Sequence, residues 1–70
     1  MPVTDTDLAA MRLAIAASRQ ALDAGDMPYG AALLSPAGQV LMTERNRQLS
    51  TQDCSAHAEM VLVRRATEQL

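Results

Sequence analysis

The apolar side chains of this chain are small, and that limits what it can build. Of its 70 residues 34 are hydrophobic, 13 of those are alanine, and Tyr29 is the single aromatic residue, with no Phe and no Trp. A chain of this length buries only about 60% of its unfolded surface. Ordering it costs on the order of 100 kcal/mol at roughly 1.5 kcal/mol per residue, which a core of Ala, Leu, Val and Met offsets poorly. The composition excludes a large self-sufficient enzyme and argues against an independent mini-domain.

Other classes fall with it. One cysteine cannot form an intrachain disulfide, and one Cys with one His cannot close a four-ligand structural zinc site. The net charge is −2, there is no lysine, and the arginines are dispersed apart from Arg45/Arg47 and Arg64/Arg65. That is the wrong footprint for binding a phosphate backbone, so no general nucleic-acid surface is expected. No apolar run approaches the roughly 18 residues of a membrane span. The opening segment, Met-Pro-Val-Thr-Asp-Thr-Asp, is acidic rather than basic and so does not read as a leader. A cytoplasmic setting with no membrane contact is expected.

Four elements read from the pattern. The spacing predicts a helix from about Asp7 to Ala24, with Thr4 to Asp7 as a capping box and Gly25 as a left-handed stop. Leu8, Met11, Ile15 and Leu22, with Ala14 and Ser18 between, form its apolar stripe. Tyr29 to Ser35 is a small-residue strand, Pro36-Ala37-Gly38 a hairpin turn, and Gln39 to Glu44 a second strand. Arg45 to Ser55 is a polar loop. A last helix starts near Ser55 or Ala56 and runs to the end, with Met60, Val63 and Leu70 at helical spacing.

A lone hairpin is marginal in water and needs a third strand or good helix cover. Ala31 to Leu34 is apolar on both faces, as a strand central to a larger sheet would be. The expected core joins Leu8, Met11, Ile15, Leu22, Leu33, Leu34, Leu41, Met60, Val63 and Leu70, with one side open. Self-association through an exposed sheet edge or helix face follows as an expectation.

The chemistry concentrates in Ser55-Ala56-His57-Ala58-Glu59. Residues two apart in mid-helix diverge, but first-turn side chains lean back past the helix end and can converge there. Free main-chain amides at that end favour anions. A neutral imidazole is a good zinc ligand, and a nearby carboxylate can carry protons. On these residues alone, the alternative is that His57 caps or packs and Glu59 is one more first-turn acid.

Taken with Gly25-Asp26-Met27-Pro28-Tyr29-Gly30-Ala31, the Gly38 hairpin, Arg45-Asn46-Arg47 and Asp53 to Met60, the sequence resembles the zinc-dependent cytidine/nucleoside deaminase superfamily, whose signature is H-x-E followed by P-C-x-x-C. It is most similar to the guanine-deaminase-like and tRNA-adenosine-deaminase-like branch. The resemblance implies an α/β fold, a cytidine-deaminase-like three-layer α-β-α sandwich, here truncated to helix-strand-strand-helix. Residues 1–70 would then be the N-terminal part of a single deaminase domain.

Carried over by residue, the resemblance implies that His57 ligates zinc and Glu59 is the catalytic proton carrier between zinc-activated water, the ring nitrogen and the leaving ammonia. Asn46 would bind the base or its sugar, the Ala58 amide an exocyclic oxygen, and Tyr29 to Ala31 would line the pocket floor. Plainer readings stand beside these. Asn46 can bond its own backbone, Gly30 and Ala31 can be small for helix-on-sheet packing, and Tyr29 can be a core ring.

The family's other two zinc ligands come from the later Pro-Cys-x-x-Cys, which these residues do not contain. Cys54 has a ligand-like spacing to His57 but occupies a loop position the family fills with assorted residues, and it reads as a bystander. The expected substrate is a small nucleobase or nucleoside, deaminated hydrolytically, with this chain incomplete on its own. The second reading is a non-catalytic interaction module, or a degenerate deaminase remnant, that pairs with another chain.

Overall fold

The computed structural model describes residues 2–70. In chain order they form helix α1 (Asp5–Asp23), strand β1 (Gly30–Leu34), strand β2 (Val40–Arg45) and helix α2 (Ala58–Gln69). The fold is α/β, as the sequence implies.

Each boundary has a local cause. Thr4 caps α1: its Oγ1 accepts from the Asp7 amide at 3.1 Å, and Asp7 Oδ2 accepts from the Thr4 amide at 3.0 Å. At the other end Gly25 takes φ +84°, its amide donates to Leu22 O, and the Asp26 amide donates to Ala21 O at 2.8 Å. These bonds close a Schellman motif that only a residue free of a Cβ penalty completes cheaply. The hairpin turn is tied by the Ser35 amide to Gln39 O and the Gly38 amide to Ser35 O.

The strands pair antiparallel from Gly30 opposite Arg45 to Leu33 opposite Met42, and then Leu34 faces Val40. Leu41 is therefore an extra residue in β2, a bulge that turns it outward and leaves it exposed. Helix α2 begins later than the sequence suggests. Ser55 and Ala56 are held by Asp53, whose Oδ1 accepts from the Ser55 amide and hydroxyl and whose carbonyl accepts from the Ala56 amide. An aspartate that offers its neighbours a local turn delays the helix to Ala58.

Alternation along the strands sends Gly30 toward α1 and Glu44 toward Arg65 of α2. Both helices touch the sheet and neither touches the other among the described residues, so helix, sheet and helix form three layers.

The core differs from the expected one. Ala10, Ala17 and Ala21 are the buried residues of α1, whereas Met11 and Leu22 are each 60% exposed and Leu8 and Ile15 stand in solvent beside them. The buried alanine face lies roughly a third of a turn from the large-residue stripe. The cause is Gly30: a Cβ there would overlap the Ala14 carbonyl oxygen and come within 2.8 Å of the Ser18 nitrogen. The helix lies on the strand at a distance that only glycine below and alanine above permit. Met42, Ala56, Ala58 and Leu62 complete the buried apolar set, and Leu41, Met60, Val63 and Leu70 are exposed rather than internal. Alongside the free edge of β1, an open groove of about 400 Å³ runs between α1 and the strand, lined by Ala10, Met11, Ala14 and Gly30 to Ala32 among others.

Gly30→Ala is expected to cost about 1–3 kcal/mol by overpacking. Ile15→Ser, on the exposed face, should change stability by less than about 1 kcal/mol. Urea denaturation of both variants followed by circular dichroism checks the order, which would invert if the large side chains formed the core.

Candidate functional site

The loop from Asn46 to His57 links β2 to α2 and is held by its own polar groups. Asn46 is fully buried. Its Oδ1 accepts from the Gln48 amide at 3.0 Å, its Nδ2 donates to Gln48 Oε1 at 2.7 Å, and its main-chain amide donates to Tyr29 O at 3.0 Å. Gln48 reaches on to donate from Nε2 to Cys54 O at 2.9 Å, and the Arg47 amide donates to Ala56 O at 3.0 Å. The loop is thereby laced to the start of α2, and Gln52 at its far end adopts φ +54°.

His57 is the N-cap residue of α2, with extended backbone (φ −63°, ψ 149°) and no side-chain capping bond. Its imidazole is left available. Its carbonyl accepts from the Val61 amide at 2.9 Å, which starts the helical ladder. Ala58 is buried, while His57 and Glu59 are exposed. His57, Ala58 and Glu59 line one pocket of about 350 Å³ together with Tyr29 and Gly30 at the mouth of β1. Three of the sequence-predicted positions thus share a cavity, and two of the three predicted floor residues join them. Ala31 faces the larger groove instead. Asn46 is not among the lining residues. It lies behind Tyr29 with both ends of its carboxamide engaged by Gln48, the local bonding that the sequence leaves open as its plainer role.

Two buried carboxylates shape this end of the molecule, and sequence reading missed both. Glu44 Oε1 accepts from the Arg45 amide and from Arg47 Nε and Nη2, at 2.9 to 3.1 Å, while its Oε2 accepts from Arg65 Nη1 at 2.8 Å. Burial pushes the Glu44 carboxyl up, but the Arg45 amide and the Arg65 and Arg47 guanidinium groups outweigh it and hold the group below its ordinary value. Asp26 accepts from Arg45 and from the Leu49 and Ser50 amides. Burial opposes its charge first, and the donors from Ser50, Arg45 and Leu49 again hold it low. Only the Arg45 and Arg47 contacts of Glu44 are near in sequence; Arg45 reaches Asp26 across 19 residues and Arg65 reaches Glu44 across 21, separations that no local pattern signals. Arg64 makes a longer, exposed pair with Asp53 at 3.7 Å and donates to the Ser55 hydroxyl.

A family profile described as the cytidine and deoxycytidylate deaminase zinc-binding region matches residues 4–69. The chain belongs to this deaminase family. A tRNA(Ile)-lysidine synthase from Deinococcus deserti is 36% identical over 61 residues, which are 87% of this chain and 11% of that protein. The chain therefore spans about a tenth of the length of that relative.

Membership brings zinc into question directly. A catalytic zinc takes three protein ligands and keeps one position open. Among the described residues no group of three His, Cys, Asp or Glu side chains could hold a metal. His57 offers one donor at the pocket, and the residues present do not make up the family's cage. No helix among the described residues is long and apolar enough to cross a membrane.

The depressed carboxylates set a pH dependence. A group whose folded pKa lies below its unfolded value contributes stability that is complete above the unfolded value and is lost as pH falls through the folded one. For Glu44 the ordinary value is 4.5, so the loss lies below that pH. The urea midpoint should be flat near neutral pH and fall on going to about pH 3. Glu44→Gln should begin lower at neutral pH and lose part of the acid dependence. An unchanged profile in the variant would remove Glu44 from this role.

Proposed function

We propose that this chain carries the His-x-Glu part of a zinc-dependent hydrolytic deaminase acting on a nucleobase or nucleoside. The observation that carries the reading is the convergence of His57, the Ala58 main chain and Glu59 with Tyr29 and Gly30 on one small pocket, in a chain of the deaminase family. The overall reaction adds the oxygen of water to the ring carbon bearing the amino group and releases ammonia. Protons must leave the water and reach the ring nitrogen and the departing amine. Glu59, an exposed carboxylate at the pocket, is suited to carry them. Ala58, at the first turn of α2, presents a main-chain amide where an exocyclic oxygen would be favoured. His57 is the zinc donor in this reading, and Asn46, with its carboxamide held by Gln48, would reach a base or sugar only by exchanging those bonds for the substrate's. A cytoplasmic setting belongs to the same reading.

The 70 residues are inactive alone in this proposal, because His57 is a single donor and a catalytic zinc needs three. The substrate is a free base or nucleoside rather than a polymer. Arg45, Arg47 and Arg65 are all engaged by Asp26 or Glu44, which leaves little cationic surface for a phosphate backbone. Since the relative is named for tRNA(Ile), tRNA belongs on the test panel nonetheless. The exposed face of α1 and the free edge of β1 support self-association or pairing with another chain as part of this proposal. A non-catalytic pairing module is the second reading, favoured by the incomplete donor set.

The test is zinc retention and ammonia release from cytidine, cytosine, guanine, adenosine and tRNA, by the chain alone and co-expressed with a segment carrying Pro-Cys-x-x-Cys. The expected result is no turnover alone and both zinc and turnover in the pair. His57→Ala should then lose zinc, and Glu59→Gln should keep zinc while slowing turnover by about 10²–10⁴-fold. A pair that forms with unchanged affinity in both variants and never releases ammonia would establish the pairing module instead.

A further inference from the structure

Asp26 lies outside the pocket, yet its side chain ties the end of α1 to the last residue of β2 and to the loop that follows it. Its side chain is wholly shielded from solvent. Oδ1 accepts from the Leu49 amide at 2.9 Å and the Ser50 amide at 2.7 Å, and Oδ2 accepts from Arg45 Nη1 at 2.9 Å. The same Arg45 nitrogen donates to Asn46 O at 3.4 Å. Asp26 is itself placed by the Schellman motif that ends α1, through its amide to Ala21 O. Three residues on, Tyr29 enters the pocket and its carbonyl accepts from Asn46.

The loop after β2 is therefore moored at several points. Its first residue is held to the pocket wall by the Asn46 amide to Tyr29 O, and the next two to the start of α2, through Arg47 to Ala56 and Gln48 to Cys54. Asp26 holds the part beyond them, taking the Leu49 and Ser50 amides and so binding that stretch to the end of α1.

We propose that Asp26 is a positioning residue that fixes the Asn46–Ser50 loop against the Tyr29 and His57 wall of the pocket. The aspartate is required as a charged, compact acceptor. Asparagine would turn a donor or a weak acceptor toward Arg45, and glutamate would carry its carboxylate one methylene too far. Removing the acceptor strands two amides and a guanidinium in a shielded place, and such donors seek water by opening the loop. That this wall receives a nucleobase rests on the deaminase reading above, whereas the mooring itself does not.

Amide hydrogen exchange and side-chain NMR on the full 70-residue chain test the proposal with Asp26→Asn and Asp26→Glu. Exchange at Leu49 and Ser50 should accelerate by roughly tenfold or more in Asp26→Asn, with Ala32 and Met42 in the hairpin keeping their original rates. The His57 ring and Tyr29 ring resonances should shift in both variants, a response that a role confined to stabilising α1 would not produce. Should Asp26→Asn fail to fold, Asp26→Glu alone decides, through the Leu49, Ser50 and His57 signals. Unchanged Leu49 and Ser50 exchange, or acceleration by one common factor across the hairpin with unshifted rings, would overturn the proposal. A parallel titration of the unmutated chain with cytidine and with guanine separates the two ideas. No shift at Tyr29 or His57 would count against the deaminase reading of the pocket, while the exchange pattern still decides Asp26.

Discussion

Gly30 brings the start of β1 against the main chain of α1, with the Ala14 carbonyl, the Ser18 amide and the Ala17 methyl around the place where a Cβ would stand. That close approach governs the layer it belongs to. A helix this near a strand has room for alanines between them and for nothing longer, so Ala10, Ala17 and Ala21 form the buried face. Leu8, Met11, Ile15 and Leu22 are consequently turned away from the sheet, and the apolar area they leave in water supports the proposed association with a further chain or segment.

With so thin an apolar core, directional polar contacts hold the other end. Glu44 gathers Arg47 and Arg65 and so joins β2 to its own following loop and to α2. Asp26 gathers Arg45 and two loop amides. Buried charges are costly to desolvate, and their net contribution to stability is smaller than their hydrogen bonds suggest. Their geometric effect is large, because a carboxylate with three or four fixed donors leaves a loop few alternative positions. No buried side-chain polar atom among the described residues lacks a partner, so the network is internally complete.

The pocket sits where these two systems meet. The packed strand supplies Tyr29 and Gly30, and the hydrogen-bonded loop delivers His57 to the N-cap of α2 with its ring uncommitted. A histidine at that position is unusual as a cap, since Ser, Thr, Asp or Asn satisfy the first amides better. Leaving the cap bond unmade keeps both the imidazole and the helix end open to a ligand, which accords with a family named for its zinc-binding region.

The sequence by itself determined the element order, the Thr4–Asp7 capping box, the Gly25 stop, the hairpin turn and the nearness of His57 and Glu59. All of these are local: each depends on residues within a few positions of one another, where side-chain chemistry and backbone preference act without help. It also placed the chain in the deaminase family through motifs in order. Tertiary structure alone decided which face of α1 is buried, because helical periodicity identifies apolar stripes but not which stripe a glycine across the layer will accept. It alone decided that Asp26 collects Arg45 from 19 residues away and Glu44 collects Arg65 from 21. Such pairings follow from which chain segments the strands bring side by side, and that information resides in the packing rather than in any one stretch of sequence.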